Sequence, residues 1–201
     1  MGQVAGPLTV NGTEWHQHEW LPSLVKTSKT LNCIPESLTV IDWIPVDELA
    51  HIILDLVHTG YETHKSEIFN LVNPKVTDWS NLVPTIQIWF AVATKIVAVP
   101  FADWIDMLKH VDPNDKNEVA SKPAVKIIDF YAALDSAGTA SHSRQIFEIE
   151  NGLRASKTMA TLMPVNKESM ETWLRQWNFN PRYQAILDCR NGFRSATTTL
   201  A

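Results

Sequence analysis

Two short patterns in the sequence carry side chains that could do chemistry. His16 and His18 form a His-x-His pair, a common arrangement of two metal ligands. No third ligand is placed to complete such a site, so we interpret both as loop histidines and predict no metal. Tyr61 and Lys65 have the Tyr-x-x-x-Lys spacing, in which a lysine on the same helix face lowers the pKa of a tyrosine that hydrogen-bonds a carbonyl oxygen. Because Gly60 should end the preceding helix, we do not expect a shared face and assign no catalytic residue.

The composition argues against several other classes of function. The chain has 201 residues and a net charge of −5, and its sequence contains no run of basic residues, which argues against a nucleic-acid partner. No apolar run approaches the roughly 18–20 residues of a membrane helix, and no secretory signal follows Met1. Cys33 and Cys189 lie far apart, and no G-x-S-x-G or Cys/His signature indicates a hydrolase. We therefore expect a reduced, cytoplasmic protein without a membrane or nucleic-acid partner.

The stretch from residue 41 to 57, IDWIPVDELAHIILDLV, contains the clearest structural signal. Residues 41–46 are rich in β-forming residues, and Pro45 suits the end of a strand. Asp47 occupies the position of a helix N-cap, where its carboxylate can accept hydrogen bonds from free backbone N–H groups. The predicted buried face of the helix consists of apolar residues at helical spacing: Val46, Leu49, Ala50, Ile53, Leu56 and Val57. A strand, an acidic cap and an amphipathic helix in this order are typical of α/β domains.

The rest of the chain continues this alternation, with few strands and many helices. Further strands are predicted at residues 3–5, 68–72 and 95–99, and helices at residues 19–31, 77–92, 101–108, 122–134 and 166–177. Residues 32–37, 112–121 and 135–144 are predicted to be loops, and residues 145–148 a short edge strand. Three or four strands make a poor sheet on their own, so the pattern predicts part of a larger α/β domain.

Several segments, in this order, resemble thioester reductase domains. They are residues 2–7 (GQVAGP), 19–25 (EWLPSLV), 42–47 (DWIPVD), 69–74 (FNLVNP) and 100–104 (PFADW), followed by 156–165 (SKTMATLMPV) and 173–177 (WLRQW). Such domains end fungal enzymes similar to non-ribosomal peptide synthetases, polyketide synthases and aryl-acid reductases, and they belong to the extended short-chain dehydrogenase/reductase family. The resemblance covers residues 2–179, so we expect a partial reductase domain at 1–179 and a C-terminal tail at 180–201.

The resemblance implies a reductase that takes an acyl thioester from an acyl- or peptidyl-carrier protein. Hydride from NADPH would give an aldehyde, and sometimes an alcohol. In that family NADPH binds to an N-terminal Rossmann half that opens with a glycine-rich turn. This sequence has no G-x-G-x-x-G or related motif, and the strand at residues 3–5 corresponds to the sixth strand of the family. We therefore expect the substrate lobe and last strands only, without the Rossmann half and its catalytic Tyr-x-x-x-Lys pair, and with no cofactor bound by this chain alone.

The same resemblance suggests which residues would contact the substrate. In the intact family, the chain after the sixth strand passes near the nicotinamide and begins the substrate lobe. The corresponding residues here are Gln3, Val4, Ala5, Gly6 and Pro7. Trp15, Trp20 and Trp43 could line a pocket for an apolar or aromatic acyl group, and the lack of any arginine before Arg144 argues against a nucleotide-sugar substrate. A purely structural turn and ordinary core tryptophans are the alternatives.

These observations lead to one main functional hypothesis and two alternatives. The main hypothesis is that the chain is the substrate-binding portion of an NADPH-dependent thioester reductase and is inactive alone. A non-catalytic interaction protein that binds a carrier protein, or a Rossmann half on another chain, is the first alternative. A degraded gene remnant with bare strand edges is the second.

Overall fold

Two short pairs of parallel strands, surrounded by helices, form the framework of the structure. The computed structural model describes residues 3–9, 14–63, 67–140 and 147–179. The strands are β1 (Val4–Ala5), β2 (Cys33–Pro35), β3 (Ile44–Pro45) and β4 (Val97–Val99). The helices are α1 (Trp20–Leu31), α2 (Val46–Thr63), α3 (Val83–Phe90), α4 (Phe101–Lys109), α5 (Lys116–Ser121), α6 (Ile128–Ala140), α7 (Glu150–Ala155), α8 (Lys157–Thr161) and α9 (Lys167–Trp177), with 3₁₀ turns at Trp79–Asn81 and Pro123–Ile127. This mixed α/β architecture confirms the predicted class.

Each strand pair joins segments that are distant in the sequence. In the first sheet β1 lies parallel to β3, with Val4 opposite Ile44. In the second sheet β2 lies parallel to β4, with Cys33 opposite Val97. The strand β2 replaces a predicted loop, because Asn32 adopts a left-handed conformation (φ 57°) that ends α1 and turns the chain directly into the strand.

The larger hydrophobic cluster, which we call the main core, is rich in aromatic rings. It packs α1, α3, α4 and α9 around the second sheet and the end of β1. Trp79, Trp104, Trp173 and Trp177 are fully buried in it. The Tyr131 hydroxyl is also buried and donates a 2.6 Å hydrogen bond to a backbone carbonyl, and this burial raises its pKa. The large side chains of the main core are thus fully enclosed by the protein.

A second cluster of buried side chains, which we call the small cluster, lies around α2 and β3. Its buried members are Ile44, Leu49, Ile52, Leu71, Met159 and Leu162. Residues from α7 and from β1 pack against its rim. It is far smaller than the main core, although it supports the longest described helix.

The helix α2 begins and ends at different residues from those predicted. It begins at Val46, so Asp47 lies in the first turn and is not the N-cap. Its carboxylate accepts one bond from its neighbour Glu48 (3.2 Å), but its other oxygen is used elsewhere, by the loop after β1. The helix also continues through Gly60 to Thr63. A helical glycine costs only about 1 kcal/mol, less than the packing of such a long helix contributes.

The buried face of α2 also differs from the prediction. Leu49 and Ile52 point into the small cluster, with Leu56 at its rim. Four other predicted core positions are exposed: Val46, Ala50, Ile53 and Val57. The neighbouring Leu54 is exposed as well. Both faces of the helix are apolar, so the sequence pattern alone could not distinguish the face that packs here.

The remaining predictions had mixed outcomes. The predicted helices at 19–31, 101–108 and 166–177 are confirmed as α1, α4 and α9, and the strand at 95–99 as β4. Residues 68–72 are not a strand, because no neighbouring strand offers them a ladder of hydrogen bonds. The predicted loop at 112–121 contains α5, capped by the Asp115 carboxylate, and the loop predicted from 135 is helical to Ala140. No strand forms at 147–148, and the rest of that predicted edge strand lies outside the described residues.

Within the described part of the chain, no helix combines the length and hydrophobicity that crossing a bilayer requires.

Candidate functional site

A cleft of about 380 Å³ opens beside the small cluster, where three parts of the chain meet. One wall is the start of α2 with the preceding proline, a second is the loop after β1, and the third runs from α8 to the start of α9. The residues that line the cleft are Leu8, Pro45, Glu48, Thr158, Thr161, Leu162, Met163, Pro164, Val165, Asn166, Glu168, Ser169 and Thr172. We propose that this cleft holds the substrate, and we call it the substrate cleft.

The loop after β1 is held in place by side chains from two helices. The Asp47 carboxylate on α2 accepts hydrogen bonds from the backbone N–H groups of Leu8 (3.0 Å) and Thr9 (2.9 Å). On the other side, the Gln176 amide of α9 donates a 2.9 Å hydrogen bond to the Pro7 carbonyl. An ionised carboxylate that accepts two N–H groups is among the stronger hydrogen-bonding arrangements in proteins. The side chain of Leu8 is thereby fixed at the edge of the cleft.

Asn73 fixes the wall formed by the segment between α8 and α9. It is 1% exposed, and its side-chain amide donates to the carbonyls of Trp43 (3.2 Å) and Met163 (2.9 Å). Its side-chain oxygen accepts a 3.0 Å bond from the Lys75 backbone N–H. One buried side chain therefore joins the approach to β3, the turn after residue 72 and the lining of the cleft.

A carboxylate on α2 holds the N-terminal end of α8 in place. The Asp55 carboxylate accepts hydrogen bonds from the Ser156 hydroxyl (2.7 Å) and the Thr158 backbone N–H (3.1 Å). These two bonds, in that order of importance, lower the pKa of Asp55. Ser156 in turn caps α8 by accepting a 3.0 Å bond from the Met159 N–H. The helix α8 is thus tied by charge-assisted hydrogen bonds to the helix on the opposite side of the cleft.

The chemistry of the cleft suits an apolar ligand with few polar groups. The hydroxyls of Thr161 and Thr172 donate to carbonyls of their own helices, and Ser169 is engaged in a capping box with Asn166. The walls between them are leucine, proline, valine and methionine side chains. These features favour recognition by shape and apolar contact, as in most sites for small organic groups.

The substrate cleft does not fit the phosphates of a dinucleotide. Among the described residues, its charged lining residues are Glu48 and Glu168, both acidic, and neither lysine nor arginine lines it. A dinucleotide pyrophosphate is normally held at the N-terminus of a helix that follows a glycine-rich turn, and the sequence contains no such motif. The residues of this cleft therefore do not provide a binding site for NADPH.

The five residues predicted to contact substrate at β1 lie next to the cleft but do not line it. Gln3 accepts a 3.2 Å bond from the Trp20 ring N–H, and Val4 and Ala5 pair with β3. Gly6 has a structural reason to be glycine, because a Cβ there would lie 2.6 Å from the Cγ of Trp15. The close approach that Gly6 allows in this structure is to an indole ring. A role for these residues in substrate binding stays a prediction.

The three predicted pocket tryptophans belong to one aromatic group in the main core. The ring of Trp43 lies between Trp15 (6.4 Å between centroids) and Trp20 (5.5 Å), and both contacts are edge-to-face. Trp15 and Trp43 are buried, and Trp20 is half-buried. None of the three is among the lining residues of the cleft, and their role in substrate binding also stays a prediction.

The other candidate side chains have ordinary surroundings. His16 and His18 are exposed, with ring centroids 5.0 Å apart, and the described residues contain no group of three potential metal ligands. Cys33 is a buried free thiol, and burial raises its pKa. Tyr61 lies within α2 rather than after it, and Lys65 lies outside the described residues.

Sequence reasoning missed the residues that build the cleft. Asn73 and residues 162–165 stood out only as parts of the segments that resemble thioester reductase domains. Asn166 was available as a signal, because Asn-x-x-Ser before an amphipathic helix predicts a capped N-terminus. The joining roles of Asn73 and Asp55 depend on contacts between distant segments, which no local pattern records.

Comparison with solved structures identifies the class of fold. The chain matches the crystal structure of the terminal R domain from the myxalamid PKS-NRPS biosynthetic pathway with a TM-score of 0.64 and 16% sequence identity. The match covers 87% of this chain and 42% of that one. The fold is therefore that of part of a terminal reductase domain. No protein-family model matches the chain.

Sequence relatives then confirm the resemblance to carboxylic acid reductases and related enzymes. The chain is 32% identical over 185 residues to the carboxylic acid reductase of Neurospora crassa, a match that covers 89% of this chain and 17% of that protein. It is 29% identical over 193 residues to the adenylate-forming reductase Nps10 of Heterobasidion annosum, covering 88% of this chain and 16% of that protein. It is 27% identical over 180 residues to the non-reducing polyketide synthase dbaI of Emericella nidulans, a match that covers 88% of this chain and 7% of that protein. The chain thus corresponds to a small part of each relative.

Proposed function

We propose that this chain is the substrate-binding portion of an NADPH-dependent thioester reductase that releases a carrier-bound acyl group as an aldehyde or alcohol. The substrate cleft would hold the acyl group. The cofactor-binding half, with its glycine-rich turn and catalytic tyrosine and lysine, would be a separate body of protein against which the cleft closes. On its own, the chain would neither bind NADPH nor reduce a thioester.

The outer face of α2 is the observation that carries this proposal. Val46, Ile53, Leu54 and Val57 are between 43% and 64% exposed, and with Ala50 they form one continuous stripe at helical spacing. A helix that is apolar on both faces is normally buried on both. Within the described residues the adjoining sheet contains only β1 and β3, whereas parallel sheets are normally larger and covered on both faces. Helix and sheet together support an α/β partner at this surface.

The lining of the substrate cleft supports the substrate class. Apolar side chains from the loop after β1, from β3 and from the segment after α8 surround it, and its volume of about 380 Å³ suits a medium-sized organic group. The acyl part of a thioester is such a group, and it carries no phosphate that the two glutamates would repel.

The test is reconstitution with a separate cofactor half. The full chain is mixed or co-expressed with the segment of the Neurospora crassa carboxylic acid reductase that precedes the matched region. Oxidation of NADPH and release of aldehyde are then measured with a carrier-bound acyl thioester. We expect turnover from the mixture and none from either part alone. Binding of NADPH to the isolated chain at micromolar concentration would contradict the proposal.

Variants of the α2 stripe make this test specific. Ile53→Glu with Val57→Glu should abolish association with the cofactor half, because two charges would be buried in an apolar contact. The control pair is Ile88→Glu with Val92→Glu, which are 61% and 65% exposed, are also four residues apart and lie elsewhere on the surface. If both pairs impair association equally, the stripe is not the contact.

A further inference from the structure

Three adjoining clefts form a continuous groove, and none of the described residues that line it belongs to α2. The first two share Gln17 and Lys26, and the first and third share His18 and Lys126. Their volumes are about 380, 440 and 260 Å³. The groove lies between α1, α5 and the turn at Pro123–Ile127, and we call it the lysine groove.

All the formally charged side chains that line the lysine groove are cationic. They are Lys26, Lys29, Lys116 and Lys126, while no aspartate or glutamate is among the lining residues in the part of the chain that the structure describes. The chain as a whole has a net charge of −5, so this surface differs in sign from the average of the molecule. The four lysines come from positions up to 100 residues apart, which is why the sequence shows no basic cluster.

These lysines are not neutralised by carboxylates within the described residues. None of the four takes part in the salt bridges there, which use other lysines and arginines. Lys26 lies over the ring of Phe179 (5.8 Å) and Lys29 over the ring of Phe90 (5.6 Å), and Lys29 also donates a hydrogen bond to the Phe179 carbonyl. Burial, and then the charge of Lys26, lower the pKa of Lys29. An anionic partner would relieve the repulsion between the ammonium groups of Lys26 and Lys29.

We propose that the lysine groove is the docking surface for an acidic face of the carrier domain that presents the acyl thioester. The inference rests on the proposed function, which requires such a carrier. The cations are spread along a shallow surface formed by three elements, as expected for a protein partner rather than one phosphate group. They are lysines, which act as point charges and steer an acidic partner over long range, whereas arginine would give bidentate recognition of a single phosphate.

The position of the groove relative to the substrate cleft agrees with this role. The first turn of α9 lines the cleft through Glu168 and Ser169, and its last residue, Trp177, lines the groove. The helix has 11 residues and is about 17 Å long. A carrier bound at the groove would therefore stand about one helix length from the cleft, and a flexible thioester-bearing arm would have to cover that distance.

The test measures binding of the full chain to a purified fungal acyl-carrier domain at several salt concentrations, for example by fluorescence anisotropy of a labelled carrier. The variant is Lys116→Glu with Lys126→Glu, both exposed and without hydrogen bonds to other described side chains. The control is Lys95→Glu with Lys157→Glu, which makes the same change in net charge, and Lys157 is next to a residue that lines the substrate cleft. Circular dichroism confirms that both variants are folded.

We expect the groove variant to bind the carrier about tenfold more weakly at low salt, and to lose most of the salt dependence of the wild-type affinity. The control should change affinity by less than about twofold, the size of a general charge effect. Equal losses in the two variants, or wild-type binding by the groove variant, would overturn the proposal. Because no cofactor half is present, carrier binding can succeed even if reconstitution of reductase activity fails, so the two proposals are tested separately.

Discussion

The main core and the region around α2 differ in how completely this chain buries them. In the main core, large rings such as Trp79, Trp104 and Trp173 are fully buried by other parts of the same chain. Around α2, the small cluster covers one face of the helix, and the apolar stripe on the other face is exposed. One region is therefore complete within the described residues, and the other has the composition of an interior surface. The difference indicates where a further body of protein would pack.

The largest expected effect is at the centre of the main core. Trp173→Ala should lower the free energy of unfolding by about 3–5 kcal/mol, because it removes a buried ring that packs 4.9 Å from Trp15. Urea denaturation measures it. Trp173→Phe keeps most of the volume but loses the 3.0 Å bond from the ring N–H to the Gly6 carbonyl, so its cost should be intermediate. A cost below about 1 kcal/mol for the alanine variant would mean that the core is not closed.

The next effect concerns the polar anchor between the two regions. Asn73→Ala should cost about 2–3 kcal/mol, because the carbonyls of Trp43 and Met163, the first of them in a buried hydrogen bond, lose their donor. Asn81→Ala is the matched control, since Asn81 is exposed and makes only a 3.4 Å contact with Thr77. Thermal unfolding of both variants should show a shift for Asn73 alone. Equal shifts in unfolding temperature for the two variants would contradict the role of Asn73 as an anchor.

Two glycines compare the rigidity of the two regions directly. Gly6→Ala should destabilise the chain by about 1–3 kcal/mol, because the new Cβ meets the base of the Trp15 ring, which cannot move. Gly152→Ala meets the flexible side chain of Met159 in the small cluster, with 2.6 Å to its sulfur, and gains up to about 1 kcal/mol of helix propensity. We expect its stability to change little. Unfolding curves of the two variants that coincide would contradict the contrast.

A pH experiment tests the link between α2 and α8. Hydrogen bonds from Ser156 and Thr158 lower the pKa of Asp55 in the folded state. Its contribution to stability is therefore present above the unfolded pKa of about 3.9 and is lost as the pH falls through the lower folded value. Asp55→Asn should cost about 0.5–1 kcal/mol at neutral pH, with allowance for solvent screening, and less near pH 2, which lies below the unfolded pKa. Denaturation at both pH values measures the difference, and an equal cost at both would refute the assignment.

The smallest effect is expected on the exposed stripe of α2. Leu54→Ser and Val57→Ser should change the stability of the isolated chain by no more than about 0.5 kcal/mol, because both side chains are at least 60% exposed. The neighbouring Ile52→Ser, at 0% exposure, serves as the comparison and should be strongly destabilising. If the stripe variants were as costly as Ile52→Ser, α2 would already be buried on both faces.

Local patterns predicted helix positions better than they predicted contacts between distant segments. The amphipathic repeats of α1 and α9 were sufficient to locate those helices. The repeat of α2 was equally clear, but with apolar residues on both faces it could not show which face packs within this chain. Residues 68–72 have the composition of a buried strand, yet they do not pair as a strand with any described segment, since pairing depends on the rest of the fold.

The candidate site was harder to predict for the same reason. The Asp47 carboxylate was recognised as a group that accepts backbone N–H bonds, but its partners are Leu8 and Thr9, almost 40 residues away. The lysine groove brings together Lys26 and Lys126 from segments that show no excess of positive charge in the sequence. Both features depend on tertiary structure. The sequence showed only which types of side chain are present, not which of them meet.

The hydrogen bond from Trp173 to the Gly6 carbonyl has a consequence for the order of folding. It joins residues 167 positions apart, and the neighbouring bond from Gln176 to Pro7 joins residues 169 positions apart. Contacts of such long sequence separation form late and slow the folding of a domain. During synthesis from the N-terminus, β1 and its loop therefore have to wait for α9, the last described helix, before they reach their final environment. Assembly of the substrate cleft would be among the last events in the maturation of this protein.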